Sequence, residues 1–272
     1  MNLGSVANRE SGATVGSRRR RSIVGVAMNI LVVDIGGTNV KCLASGQRVP
    51  RKFPSGPQLT PKKMVSEVKQ LAADWQYDVV ALGYPGLVVE GHPAREPHNL
   101  RPGWLTFNFE RAFGCKVRII NDAVMQALGS YEGGRMLFLG LGTGLGSTLI
   151  VNGVVQPMEL GHLSYKKGTV EAYVGALGLK RLGRKKWEKH VMLGIERLMS
   201  ALLVDDVVIG GGNAKKLRVL PAGCRLGSNA NAFVGGFRIW QEAGEWESSN
   251  VLVTRVGRGG EVEPAQQIPV TH

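Results

Sequence analysis

Short apolar runs, each closing on glycine, asparagine or aspartate, alternate along this chain with stretches of helical period. Ile30-Leu31-Val32-Val33 predicts a buried strand that ends in Asp34-Ile35-Gly36-Gly37-Thr38, with a return strand through Cys42-Leu43-Ala44. Thr60-Pro61 supplies a helix cap and a first-turn proline, and Val65, Val68, Leu71 and Ala72 then fall on one face. Asp78 to Gly83 predicts a strand running into Tyr84-Pro85-Gly86. Lys116 to Ile120 predicts another, ending in Asn121-Asp122 before a helix over Ala123 to Tyr131. Met136-Leu137 and Thr148 to Val151 flank a glycine-rich turn over Phe138 to Ser147, and Asn152-Gly153 marks a further hairpin. Helices follow from Thr169 to Ala201. Asp206 to Ile209 is a late strand that ends in Gly210-Gly211-Gly212, with a helix expected from Asn213. This alternation argues an α/β fold with ligand groups gathered at the carboxyl ends of strands. No internal sequence repeat is apparent. Residues 28–120 and 121–242 are read as two α/β lobes around a central cleft.

Composition narrows the picture. Apolar content is 43%, ordinary for a globular chain, and no run is long enough to span a membrane. The three cysteines, Cys42, Cys115 and Cys224, are isolated and have no metal-ligand spacing, which fits a reducing, cytoplasmic setting. The net charge of +13 is uneven. In residues 1–27, Arg9 and Arg18 to Arg21 oppose Glu10 alone, in a polar stretch read as a disordered leader. A twin-arginine or transit signal, or a natural start at Met28, are the other readings of that segment. Residues 243–272 are read as a flexible tail. A second basic cluster spans Lys180, Arg181, Arg184, Lys185, Lys186 and Lys189, with Arg181, Lys185 and Lys189 on one face if the helix is continuous. Such a face is either simply solvated or a site for a polyanion. No recognition motif for nucleic acid accompanies it, so nucleic-acid and membrane partners are not expected.

The chemistry sits in the turns. Gly36-Gly37 lets backbone N–H groups approach phosphate oxygens, Thr38 adds a hydroxyl, and Asp34 adds a carboxylate able to hold Mg²⁺ directly or through water. Lys41, in the strand after the turn, is grouped with these phosphate-binding residues. Gly142-Thr143-Gly144 is a second such turn about a hundred residues on. Neither turn is followed by Gly-Lys-Ser/Thr, which excludes a P-loop, and neither fits the dinucleotide fingerprint. Asp122 can act as a general base toward an alcohol, with Asn121 holding a neighbouring hydroxyl, or it can simply cap the helix it precedes. Glu159 and His162 flank Gly161 and can grip vicinal hydroxyls of a sugar, or they are ordinary surface residues. Trp104, in Asn99-Leu-Arg-Pro-Gly-Trp104, either shields a ligand or is buried in a turn.

Seven motifs in this order resemble the repressor/ORF/kinase (ROK) family of sugar kinases: Asp34-Ile-Gly-Gly-Thr38, Gly83-Tyr-Pro-Gly86, Asn99 to Trp104, Asn121-Asp122-Ala123, Gly140-Leu-Gly-Thr-Gly144, Glu159-Leu-Gly-His162 and Gly210-Gly-Gly212. The resemblance covers roughly residues 28 to 242. It implies an actin-like (ribonuclease H-like, hexokinase-type) two-lobed ATPase fold and phosphoryl transfer from ATP or polyphosphate to the 6-hydroxyl of glucose. By that resemblance Asp122 is the base, and Asn99, Asn121, Asp122, Glu159, His162 and Glu171 hold the sugar. Asp34, Gly36, Gly37, Thr38, Lys41, Gly142, Thr143 and Gly144 face Mg²⁺ and the phosphates, and Gly210, Gly211 and Gly212 flank the adenosine. The cysteine-rich zinc loop of many members is missing after His162, so no structural zinc is expected, and the chain looks closest to the zinc-free polyphosphate glucokinases. No helix-turn-helix precedes the first strand, which argues against the repressor branch. Mannose or an N-acetylhexosamine as acceptor, and a non-catalytic sugar-binding regulator, are the alternatives. A homodimer is the expected assembly.

Overall fold

The computed structural model describes residues 28–241, together with Met1. The leader and the tail beyond residue 242 lie outside the described residues. The first half of the chain forms β1 (Ile30–Ile35), β2 (Asn39–Ala44), β3 (Arg51–Pro54), α1 (Pro61–Leu71), β4 (Val79–Tyr84), the short hairpin β5 (Val88–Val89) and β6 (His92–Pro93), α2 (Phe109–Phe113) and β7 (Lys116–Asn121). Helix α3 (Asp122–Ser130) leads into β8 (Arg135–Leu141), β9 (Leu145–Val151) and β10 (Val154–Met158). Then come the hairpin β11 (Ser164–Tyr165) and β12 (Gly168–Thr169), and the helices α4 (Val170–Val174), α5 (Ala176–Leu182) and α6 (Arg184–Leu202). Strands β13 (Asp206–Gly210) and β14 (Cys224–Leu226) and helix α7 (Asn231–Gln241) complete it.

The strands make two five-stranded sheets, ordered β3-β2-β1-β4-β7 and β10-β9-β8-β13-β14. In each sheet the first three neighbours pair antiparallel and the remaining pairs are parallel. The halves thus repeat one topology, although no sequence repeat betrays it. The turn at residues 36–38 joins β1 to β2, and the turn at 142–144 joins β8 to β9, so both occupy the same place in their sheets.

Both faces of the central strands are covered, which explains the continuous apolar runs. On β1, Leu31, Val33 and Ile35 pack outward with Met64, Val68, Phe109 and Phe113 of α1 and α2. Ile30 and Val32 face the other way, into a layer shared by α3, α7 and the Met136, Phe138 and Val208 face of the second sheet. The opposite face of that sheet, Leu137, Leu139, Val207 and Ile209, is covered by α4 to α6 through Val174, Trp187, Val191 and Ile195. By strand alternation Asp34 shares its face with Ile30 and Val32, so it points into the gap between the two sheets.

Two expectations fail. The helix expected from Asn213 is a single tight turn over Ala214–Lys216. Asn213 does not cap it: its amide N–H bonds Leu141 O at 2.9 Å and its side chain bonds Gly142 O at 3.1 Å. Helix formation resumes only at Asn231. The continuous basic helix also breaks, because Gly183, at φ +72°, separates α5 from α6. Arg181 is therefore on a different helix from Lys185 and Lys189, and it bonds Ala172 O at 3.0 Å over the Tyr173 ring.

One buried side-chain polar atom among the described residues lacks a partner, Thr148 Oγ1 on β9. Replacing that hydroxyl by a methyl removes a desolvated, unpaired group at constant shape. Thr148→Val is expected to raise the melting temperature by a few degrees, corresponding to about 1–2 kcal/mol. A fall in thermal unfolding would show that the hydroxyl is satisfied.

Candidate active site

The two glycine turns meet. A Cβ placed on Gly37 would lie 3.7 Å from Thr143 Oγ1 and 4.0 Å from Asn99 Nδ2. The amides of Gly36 and Gly142 are consumed inside their own turns, by Asn39 O at 3.0 Å and by Gly140 O and Gly144 O at 3.0 and 3.2 Å. These two glycines therefore shape the turns and offer no N–H to a phosphate. Among the described residues, the amides of Gly37, Thr38, Thr143 and Gly144 have no backbone carbonyl partner. Unpaired amides on two facing turns are a ready cradle for an anion. The turns are braced from behind: Ser55 Oγ donates to Gly36 O at 2.7 Å, and Ala176 N, at the head of α5, donates to Gly142 O and Thr143 O. Neither brace carries a sequence signal.

Asp34 is buried at the end of β1, and Lys41 Nζ stands 3.5 Å from its Oδ2 across the β1–β2 ladder. Burial pushes its carboxyl above the ordinary carboxylate range, and the Lys41 charge opposes that only in part. Lys41 is thus tied to Asp34. A buried carboxylate beside unpaired backbone amides has the hard-oxygen donor chemistry that suits Mg²⁺. The equivalent position on β8 is Gly140, so only one half of the repeat supplies a carboxylate.

Asn121, not Asp122, caps α3. Its Oδ1 accepts from the amides of Ala123 and Val124 at 2.9 and 3.2 Å, while its Nδ2 donates to Gly86 O at 3.0 Å. One amide hydrogen of Asn121 is left to reach a ligand. Asp122 is the first helical residue and is half-buried, with Oδ1 accepting from Ala123 N at 2.9 Å. Its pKa is pushed up to about 7, first by burial, then by the neighbouring Asp34 charge, with a smaller push from Glu159. A carboxylate with that pKa is matched to taking a proton near neutrality.

Glu159, His162 and Glu171 converge. His162 Nε2 lies 4.0 Å from Glu159 Oε2 and 4.0 Å from Glu171 Oε1. Glu171 also abuts the second turn: a Cβ on Gly144 would lie 2.5 Å from its Oε2. All three side chains are substantially exposed, so their polar ends face outward as a sugar-binding group requires. Buried Ser147 positions the segment, donating to Met158 O at 2.8 Å and accepting from Leu160 N at 3.0 Å. Sequence reading missed that role, for which Ser147-Thr148 within a largely apolar strand was the available signal.

Gly211 adopts φ +83° with its Cα packed on Leu141, where a Cβ would lie 2.6 Å from the Leu141 backbone. Gly211 and Gly212 line a shallow pocket of about 130 Å³ with Lys215, Leu226, Gly227 and Asn229. Trp104 takes the buried alternative. It is fully enclosed, donates from Nε1 to Arg101 O at 2.7 Å and packs on Tyr84, so it does not shield a ligand.

Comparison with known proteins identifies the family and the fold. The ROK family model matches residues 30–176. A polyphosphate glucokinase of Mycobacterium tuberculosis is 27% identical over 232 residues, covering 76% of this chain and 83% of that protein. The structure of an inorganic polyphosphate/ATP-glucomannokinase from an Arthrobacter species superposes with a TM-score of 0.69 at 22% identity, over 79% of this chain and 99% of that one. A ROK family glucokinase from Streptomyces griseus, in complex with glucose and AMPPNP, gives a TM-score of 0.63 at 16% identity over 76% and 97% of the two chains. The fold is the actin-like, hexokinase-type fold of those kinases.

Proposed function

On the premise that the chain belongs to the ROK family, as a phosphotransferase with an alcohol acceptor, we propose that it phosphorylates the 6-hydroxyl of glucose. The donor is ATP or inorganic polyphosphate, and Asp122 is the general base. The observation that carries this reading is the position of Asp122, a proton acceptor poised near neutrality. It heads a helix whose next residue, Ala123, packs on β9 just past the second turn: a Cβ on Gly146 would lie 2.9 Å from Ala123 Cβ. Phosphoryl transfer asks the protein mainly for position and charge. The amides of Gly37, Thr38, Thr143 and Gly144 hold the phosphates, and Asn99, His162, Glu159 and Glu171 hold the sugar hydroxyls. Asp122 takes the proton of the attacking hydroxyl as its oxygen bonds to phosphorus and the bond to the leaving phosphate breaks. Asp34 would hold Mg²⁺, which when bound neutralises phosphate charge.

Mannose is the second acceptor to test, because a structural neighbour is a glucomannokinase. Crossing glucose, mannose and N-acetylglucosamine with ATP and polyphosphate, on the full chain, tests the reading. Sugar 6-phosphate from glucose with either donor is the expected result. No product from any pair, in protein that still binds glucose, would favour a sugar-binding regulator.

His162→Ala is expected to raise KM for glucose by about ten- to a hundredfold, the loss of a hydrogen bond to a charged or polarised partner. The KM for the phosphoryl donor moves far less. An unchanged glucose KM in steady-state kinetics would remove His162 from the sugar site.

A further inference from the structure

The basic face that begins at α6 is not spread evenly over the helix. Arg184, Lys185, Lys189 and Arg218 line an open groove of about 630 Å³, with Glu188 among them and Glu196 at the far end. The four cations are exposed. The Glu188 carboxylate is already engaged, accepting from the Arg218 amide. Lys186 projects off this face and does not line the groove.

The groove is joined to the phosphate cradle through the backbone. Gly142 O, in the second turn, holds the Asn213 side chain at 3.1 Å. The turn Ala214–Lys216 follows directly, with Lys215 and Lys216 exposed. Lys216 O in turn accepts from Arg184 Nε at 2.8 Å, at the head of α6. In chain order Lys215 and Lys216, both exposed, therefore stand between the second turn and the groove. On α6 the cations of the groove end at Lys189, about 7.5 Å along the helix from Arg184, and Met192, Leu193 and Glu196 line the groove beyond it.

The helix end is itself built against its own dipole. α6 opens with Arg184-Lys185-Lys186, has no acidic residue in its first turn, and has no side-chain cap at Gly183. Cations at the positive end of a helix with unsatisfied amides are mutually unfavourable, and an anion laid across them relieves both. A single nucleoside triphosphate needs only the local cradle. A long polymer of phosphates needs a row of cations. The pocket beside Gly211 and Gly212, at about 130 Å³, is small next to the roughly 300–1,000 Å³ of typical small-molecule sites. No aromatic residue lines the groove on which a nucleic-acid base would stack, and Trp187 of the same helix is fully buried.

We propose that the groove of Arg184, Lys185, Lys189 and Arg218 is the track for the distal part of a long-chain polyphosphate whose reacting end lies in the cradle of the two glycine turns. The proposal rests on the reading of polyphosphate as a donor and specifies where the chain runs.

The test is equilibrium binding of end-labelled long-chain polyphosphate to the full-length protein, as a function of salt. The wild type is compared with Lys185→Glu/Lys189→Glu and with Lys186→Glu, an equally exposed lysine outside the groove. The double variant is expected to bind the long chain at least about tenfold more weakly, with a salt slope smaller in magnitude by about two. Lys186→Glu retains most of the affinity, and tripolyphosphate, too short to leave the cradle, loses less than the long chain. Equal weakening by Lys186→Glu would overturn the track, as would a wild-type protein that does not bind long-chain polyphosphate. Equal affinity for single-stranded RNA of matched charge would make the groove an unselective polyanion face and also overturn it. Glucose phosphorylation with ATP, measured on the same preparations, separates the two readings. Wild type that makes sugar phosphate but fails to bind the polymer refutes the track alone. Wild type that binds the polymer through the groove but makes no product with any donor refutes the kinase reading alone.

Discussion

Asp122→Asn is expected to cut kcat for glucose phosphorylation by about 10²- to 10⁴-fold while leaving a protein that is folded and more stable than the wild type at pH 8. The two effects share one cause. Burial first, and then the nearby Asp34 charge, raise the pKa of Asp122 from 3.8 to about 7. The folded state thus holds the proton more tightly than the unfolded chain. Its contribution to stability is fully present below pH 4 and is lost as pH rises through 7. Above that pH the ionised carboxylate costs on the order of a few kcal/mol, which the neutral amide does not incur. The Asn Oδ1 still accepts from the Ala123 amide, so the helix start is preserved. Thermal melts at pH 4 and pH 8 check the sign: the variant gains over wild type only at the higher pH. In kinetics, wild-type kcat/KM is expected to rise with pH up to about 7 and then level, and the slope is absent in the variant. A variant with normal kcat would remove Asp122 from catalysis, and one destabilised at both pH values would mean the carboxylate is structurally required.

Gly235→Ala is expected to destabilise the protein by more than about 4 kcal/mol, among the largest effects a single methyl can have. In an exposed helix interior the same change stabilises by up to about 1 kcal/mol, so the sign is diagnostic. The reason is the crossing of α7 on α3. A Cβ on Gly235 would lie 1.8 Å from Met125 O and 2.9 Å from Gly129 N, and a Cβ on Gly129 would lie 1.8 Å from Asn231 O. Those atoms are peptide groups, which cannot swing aside as a side-chain tip can. The helices would have to separate, and α3 carries Asp122 at its first position. Gly194→Ala, on α6, is the control: nothing lies within 4 Å of its Cβ. Melting by circular dichroism is expected to show Gly194→Ala at or above wild type, and Gly235→Ala lower by roughly 10 °C or more. A Gly235→Ala protein that melts with wild type would show that the two helix backbones are not in contact.

Local signals carried a large part of this protein. The run Ile30 to Val33 specified a strand covered on both faces, because only an apolar strand survives between two helical layers. Thr60 and Pro61 specified the start of α1, where the threonine hydroxyl accepts from Lys63 N. The residue types at the strand ends specified where tight, open turns form, since those depend on the missing glycine side chain. The order of the motifs indicated the family. Each of these features is decided within a few residues of chain.

What the sequence could not decide depends on atoms far apart in the chain. Sequence spacing alone could not assign the α3 cap to Asn121 rather than Asp122, because the choice turns on Gly86 O, in the loop after β4, reaching the Asn121 amide. Nothing local ties Glu171 to Glu159 and His162; it lies between His162 and Gly144 only in the folded chain. Trp104 could face a ligand or a core, and Tyr84 and Phe109 packed beside it settled that. The doubled topology of the two sheets left no trace in the strands beyond the paired glycine turns, because many apolar sequences satisfy the same strand. The pKa of Asp122 likewise exists only in the assembled molecule. Desolvation and the field of Asp34, carried on a strand far earlier in the chain, are properties of distance and enclosure, and only tertiary packing sets those.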